Sequence, residues 1–119
     1  ATKATRGSRH RHVFNYAKMK QANDGRQMKN VWRFAAPGTE EKRHGRHPTQ
    51  KPLALIERCL AASTEPGMCV LDPFAGSGST GVAALRLGRR FSGCEINADY
   101  VRLAGQRLQA VHAGDGDER

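Results

Sequence analysis

The stretch VLDPFAGSGST, residues 70–80, restricts the fold more than any other part of this chain. A short apolar run, Met68-Cys69-Val70-Leu71, feeds into it and predicts a buried parallel strand. Gly76 and Gly78 permit a tight turn and a close approach between the backbone and a ligand. Thr80–Leu87 then predicts a helix, closed by Gly88 at the C′ position. A strand, a glycine turn and a helix in that order put free N–H groups and a partial positive charge at the turn. Open α/β sheets take ligands at this end of their strands, where Asp72 stands.

The flanking segments repeat the alternation. Leu53, Leu55, Ile56, Cys59 and Leu60 recur at helical spacing, with Pro52 suited to the first turn. Arg90–Glu95 predicts a second strand. Asn97 is a plausible N-cap, with Asp99 in the first turn after it. Tyr100, Leu103, Ala104, Leu108 and Val111 form an apolar stripe on the helix that follows. The order from residue 50 is helix, strand, glycine loop, helix, strand, helix, the opening of a doubly wound α/β sheet. Two strands make a poor sheet, so further strands are expected from elsewhere. The chain opens on Ala1, which fits either loss of an initiator Met or a start inside a longer protein.

Residues 1–46 have a different character. The net charge is +9 overall, but residues 1–52 carry 13 Lys and Arg against 3 Asp and Glu. The excess is therefore entirely N-terminal, as expected of a polyanion contact beside a folded module, or of a solvated basic arm. Residues 1–12 read as a tail, Val31-Trp32-Arg33-Phe34 as strand-like, and residues 37–47 as a loop. We divide the chain into a basic segment (1–46), a ligand-binding α/β part (47–111) and a disordered tail (112–119). Cys59, Cys69 and Cys94 sit in apolar runs without metal-ligand spacing, and read as buried free thiols of a cytoplasmic protein. No metal site is expected, nor a membrane partner, since no apolar stretch approaches the ~20 residues that span a bilayer.

Glu95 stands 23 residues after Asp72, at the end of the second strand. A carboxylate there accepts hydrogen bonds from the ribose hydroxyls of an adenosine cofactor. The glycine loop and Glu95 by themselves leave the nucleotide open. The run Gly76-Ser77-Gly78-Ser79-Thr80-Gly81 fits the nicotinamide-dinucleotide spacing G-x-G-x-x-G. Asp72 beside the loop, however, suits a cationic ligand better than a diphosphate. The alternative for all these residues is tight packing at the glycines and a surface acid at Glu95.

Three linked motifs now bear on the question: His47-Pro48-Thr49-Gln50-Lys51-Pro52-Leu53, then VLDPFAGSGST, then Gly88-Arg89-Arg90-Phe91-Ser92-Gly93-Cys94-Glu95-Ile96. Together they resemble the DNA methyltransferases that modify exocyclic amino groups, in the class with cofactor motifs at the C-terminal end. The likeness covers roughly residues 44–108 and continues weakly back to Asn15. Ser79 replaces the first Thr of the usual loop ending. The resemblance implies a partial Rossmann-like S-adenosylmethionine-dependent methyltransferase fold, its doubly wound sheet incomplete, behind a basic irregular segment.

It also implies roles. Thr49, Gln50 and Lys51 border the methionine end of S-adenosylmethionine, where Lys51 neutralises its carboxylate. Asp72, Pro73, Phe74, Ala75, Gly76 and Gly78 form the loop beneath methionine and ribose, with Asp72 facing the amino or sulfonium charge. Ser79 and Thr80 supply donors, Glu95 takes the ribose, and Ile96 packs on the adenine. For single residues a plainer role stands beside each: Phe74 as core, His47 as a shaper of the loop, Lys51 as a solvated charge.

The family's chemistry needs a tetrapeptide of an acid, Asn or Ser, then Pro-Pro, then an aromatic, which holds and stacks a flipped base. The five prolines, at 37, 48, 52, 66 and 73, include no adjacent pair. No residue is therefore named as catalytic. The resemblance is to a C-terminal fragment of an enzyme that methylates adenine or cytosine in DNA. The expected partners are double-stranded DNA and the missing N-terminal half, whether in the same protein or in a complementary subunit. Arg6, Arg9, Arg11, Lys18, Lys20, Arg26 and Lys29 are candidates for phosphate contacts. The alternatives are a non-catalytic DNA-binding remnant with a degenerate cofactor site and a dinucleotide-dependent oxidoreductase fragment.

Overall fold

The computed structural model describes residues 13–114. Its elements are helix α1 (Tyr16–Gln21), a 3₁₀ turn (Glu40–Lys42), α2 (Leu53–Ser63), strand β1 (Cys69–Asp72), α3 (Ser79–Arg86), β2 (Arg90–Gly93) and α4 (Ala98–His112). The two strands pair in parallel, with Cys69 opposite Arg90 and Asp72 opposite Gly93. A parallel pair needs a crossover, which α3 supplies. The expected order of elements from residue 50 is the observed one. The Arg6, Arg9 and Arg11 candidates, the basic tail at 1–12 and the end of the expected C-terminal tail at 115–119 lie outside the described residues.

Period-two alternation sends Val70 and Phe91 to one face of the sheet, where α3 packs. The core there is Leu53, Leu60, Val70, Val82, Ala83 and Ala84, flanked by Ile56, Leu87, Phe91, Leu108 and Val111. Small residues on α3 let it sit close. A Cβ on Gly81 would lie 2.7 Å from the Phe91 ring and 2.8 Å from Leu108. Gly88 has φ +74, and the bonds Arg89 N–H to Ala84 O and Gly88 N–H to Leu85 O close α3 as a Schellman motif.

The opposite face of the sheet is bare among the described residues. Cys69 and Leu71 point there from β1, and Arg90 and Ser92 from β2; Leu71 is 67% exposed. The expectation of a strand buried on both sides thus holds for one side only. The reading of the thiols is corrected as well: Cys69 points from β1 to this bare face, and Cys59 on α2 and Cys94 just past β2 are also exposed. Apolar neighbours in sequence do not bury a side chain when the second layer is absent.

The basic segment is tied to this α/β unit through the two ends of α2. A helix leaves its first N–H and last C=O groups without internal partners. The Leu53 N–H donates to Glu41 Oε2 at 3.1 Å. At the other end, Asn15 Nδ2 donates to Ala61 O and Thr64 O, both at 2.7 Å, and the Asn15 N–H donates to Ala62 O at 2.8 Å. Buried Arg89 adds bonds to Thr64 Oγ1 and Thr64 O. Pro52 stands at the N-cap rather than inside the first turn, because its extended ψ of 134° brings the chain in from the loop. Asn15→Ala removes two side-chain bonds to α2 carbonyls and is expected to cost about 1–2 kcal/mol. Unchanged chemical denaturation would show that these bonds contribute nothing.

The expected strand at Val31–Phe34 does not form. Trp32 and Phe34 instead hold the Arg58 guanidinium, whose carbon lies 5.3 Å and 4.5 Å from their ring centroids. With no neighbouring strand to pair with, cation–π contact decides this stretch.

Candidate cofactor site

The parallel register continues past the strands and builds the site. The Cys94 N–H donates to Asp72 O at 3.0 Å, and the Ala75 N–H donates to Cys94 O at 2.9 Å. These bonds place the start of the glycine loop beside the end of β2. Glu95 then reaches across. Its Oε2 accepts the Gly76 N–H at 2.8 Å, and its Oε1 accepts the Asn97 N–H at 2.9 Å. The Asn97 side chain in turn accepts from the Asp99 and Tyr100 N–H groups and caps α4, as its sequence position predicts.

Those bonds favour the ionised carboxylate. The backbone N–H of Asn97, foremost, holds the Glu95 carboxyl below its ordinary value; desolvation opposes this, while the Gly76 and Ile96 N–H groups and nearby His47 support it. An ionised carboxylate has about four lone-pair sites, so both oxygens retain capacity for a ligand hydroxyl.

A cleft of about 170 Å³ opens on the other side of the loop. Thr49, Gln50 and Lys51 line it from the segment before α2. Asp72, Phe74, Ala75, Gly76, Ser79 and Thr80 line it from β1, the loop and the start of α3, and His47, Ile56 and Ser77 complete the wall. The tertiary fold thus brings together nine of the candidate residues from two separate motifs. A second hollow, of about 240 Å³, is lined by Ala75, Glu95, Phe91, Val101, Ala104 and their neighbours, so Glu95 belongs to this side. Pro73 and Ile96 are exposed outside both linings, and Gly78 is turned into the protein.

Local contacts explain how the wall is held. His47 leans against Tyr100, with centroids 4.2 Å apart and ring planes tilted by 53°, and its Nδ1 accepts the Thr49 N–H at 3.2 Å. Its ring also rests against Gly76, where a Cβ would lie 3.2 Å from Nε2. His47 thereby joins the segment before α2 to the glycine loop. Asp72 Oδ1 accepts the Phe74 N–H at 3.0 Å and shapes the turn. Phe74 is 87% exposed, which rules out a core role here. Lys51 Nζ donates to Thr49 O at 3.2 Å and remains exposed. Gln50 is only 8% exposed; its Nε2 donates to Glu41 O at 2.7 Å, while its Oε1 has no hydrogen-bond partner.

Gly78 has a different neighbour from the one its place in the motif suggests. Its φ is +79, and a Cβ there would lie 2.9 Å from the Ala104 Cβ on α4. In this chain it admits a helix beneath the loop. Arg107, also beneath the loop, escaped the sequence reading altogether. It is fully buried, and its Nη1 donates to Ser77 O, Ser77 Oγ and Ser79 Oγ at 2.9–3.1 Å. The signal was present: Arg107 occupies the i+7 place of the stripe that begins at Tyr100.

Residues 2–106 match the model of a family described as DNA methylase, of the N6 and N4 amino type. The chain belongs to the amino-group DNA methyltransferase family. Among curated members, the type II methyltransferase M2.DpnII of Streptococcus pneumoniae is 53% identical over 100 residues, covering 84% of this chain and 37% of that protein. M2.LlaDCHI of Lactococcus lactis subsp. cremoris is 50% identical over 98 residues, covering 82% and 36%. The chain therefore spans little more than a third of the length of these methyltransferases. The crystal structure of the M1.HpyAVI–SAM complex matches with a TM-score of 0.60 at 34% identity, over 85% of this chain and 46% of that one. The PvuII cytosine-N4-specific DNA methyltransferase shares the fold, with a TM-score of 0.51 at 21% identity over 75% of this chain. The fold is thus a partial Rossmann-like methyltransferase fold. Among the described residues no cluster of three His, Cys, Asp or Glu side chains can hold a metal ion, and no helix is long and apolar enough to cross a membrane.

The four described DNA-contact candidates are exposed. Lys18 and Lys20 lie in the last turn of α1, with Lys20 Nζ 5.6 Å from the Tyr16 ring centroid; Arg26 and Lys29 follow in the irregular stretch.

Proposed function

We propose that this chain is the S-adenosylmethionine-binding part of a DNA methyltransferase acting on the exocyclic amino group of adenine or cytosine. The observation that carries the reading is the donor set of the cleft. The buried Gln50 Oε1 lacks a partner, and such a group is costly to leave unsatisfied. It shares the wall with the Asp72 carboxylate, the Lys51 ammonium and the N-terminus of α3. Acceptors and an anion suit an ammonium or sulfonium; a cation and a helix N-terminus suit a carboxylate. That is the complement of a methionine moiety, and Glu95 offers acceptors for a ribose on the other side of the loop. The bound cofactor supplies the electrophilic methyl group.

The residues here bind and orient. Gln50 and Asp72 hold the amino end, Lys51 the carboxylate, and Glu95 the ribose, with Thr49, Ser79 and Thr80 as further polar contacts. Ala75 and Gly76 carry the backbone under the ligand, Gly78 seats that turn on α4, and Pro73, Phe74 and Ile96 offer apolar surface. Lys18, Lys20, Arg26 and Lys29, with Arg6, Arg9 and Arg11, contact DNA phosphates and fix its position. The base pocket and its Pro-Pro tetrapeptide come from a second segment, in the same protein or in a complementary subunit. The bare sheet face at Cys69 and Leu71 supports this, because parallel sheets are ordinarily covered on both sides.

Calorimetry is expected to give one S-adenosylmethionine site per chain. Methyl transfer to DNA is expected only when a segment bearing the tetrapeptide is supplied. Failure to bind S-adenosylmethionine, with or without that segment, overturns the reading.

A further inference from the structure

We propose that Arg107 is a positioning residue that clamps the glycine loop from beneath and sets the shape in which it meets the cofactor. The inference rests on the cofactor reading above but is carried by a separate observation. The inner stripe of α4 runs Tyr100, Leu103, Ala104, Arg107, Leu108, Val111. Helical spacing calls for an apolar side chain at 107, and the site is fully buried. A guanidinium in such a place is costly unless its bonds are made. Nη1 directs hydrogen bonds to one short stretch of chain: Ser77 O at 2.9 Å, Ser77 Oγ at 3.1 Å and Ser79 Oγ at 2.9 Å.

These contacts fall between two points that are already fixed. Upstream, the Gly76 N–H is held by Glu95. Downstream, Ser79 opens α3. Arg107 draws the Ser77 carbonyl and both hydroxyls inward, and the Ala104–Gly78 contact seats the same turn on α4. Ser77 and Ser79 line the cleft on their other side. Arg107 therefore acts on a ligand through these serines and touches none itself.

The discriminating variant is Arg107→Met. It completes the apolar stripe and removes the desolvation cost of a buried charge, which offsets part of the loss of its hydrogen bonds. It leaves Ser77 and Ser79 without their donor, so the loop should loosen while the domain stays folded. In the ligand-free chain, amide exchange at Ser77–Thr80 is expected to speed up by at least about tenfold, with β1, β2 and α2 little changed. S-adenosylmethionine affinity is expected to fall by roughly 10–100-fold.

Arg107→Lys keeps the charge without the planar fork and should rescue only part of the loss. Ser79→Ala should weaken binding in the parent chain more than in the Arg107→Met background, because the two groups act as a pair. If either Arg107 variant fails to fold, the other, together with Ser79→Ala, decides the matter. Loop exchange unchanged in the folded variants, or accelerated equally throughout the domain, overturns the proposal. If the unaltered chain binds no S-adenosylmethionine, the cofactor reading fails, while the ligand-free exchange data still decide the role of Arg107.

Discussion

Glu95→Ala is expected to weaken S-adenosylmethionine binding by roughly 10–100-fold, since hydrogen bonds to a charged acceptor are among the strongest made. Two losses combine in this substitution. The proposed ribose acceptor disappears, and so does the link between the glycine loop at Gly76 and the α4 cap at Asn97. Glu95→Gln separates the two. It retains a side-chain oxygen and much of the shape but gives up the charge, so an intermediate affinity is expected. Calorimetry on both variants measures this, and affinities equal to the parent would remove Glu95 from the site.

The same bonds set a pH dependence. The Asn97, Gly76 and Ile96 N–H groups hold the Glu95 carboxyl below its ordinary value in the folded chain. An acid with a lowered folded pKa contributes stability that is fully present above its unfolded pKa and is lost as pH falls through the folded one. Glu95 should therefore keep the loop anchored at neutral pH and release it as the pH falls through its lowered folded pKa. In Glu95→Gln this acid-side loss should be reduced. Identical acid melting of parent and variant would show that other carboxylates govern it.

Gly78→Ala is expected to cost about 2–4 kcal/mol, from left-handed backbone strain and overpacking together. The melting point should fall by roughly 10–30 °C in a domain of this size. Strain alone accounts for about half of this. Gly88 has a similar φ of +74 but open space where its Cβ would go, so Gly88→Ala should cost only about 1–2 kcal/mol. The difference comes from Ala104, whose Cβ would lie 2.9 Å from the new methyl group. Pairing Gly78→Ala with Ala104→Gly removes the tightest contact and leaves the strain and a 3.2 Å approach to the residue 104 Cα. The double variant should therefore be more stable than the sum of the two single effects allows. Additive losses would mean that contact with α4 is not what demands glycine at 78.

How much of this was legible beforehand depends on the range of the forces involved. Strand, turn, helix and strand follow from local patterning, and Asn97 and Gly88 terminate helices through bonds to residues near them in sequence. Glu41 and Asn15 could not be seen as caps of α2. Their sequence neighbours say nothing of the distant N–H and C=O groups that they meet. Val31–Phe34 has strand composition, yet pairing requires a second strand, and the rings found Arg58 instead. The cysteines sit among apolar residues and are still exposed, because burial depends on the layer above. Arg107 was visible only as a break in a stripe, and a break does not name its partner.

The sequence alone determined the order of elements from residue 50, the glycine turn and the family to which the chain belongs, since each rests on residue types at short, fixed spacing. Tertiary structure decided the rest. It joined the segment at Thr49–Lys51 to the VLDPFAGSGST loop across one cleft, held Glu95 against Gly76, and placed Arg107 and Ala104 beneath the turn. Those contacts depend on packing between elements remote in sequence, and only the folded chain contains them.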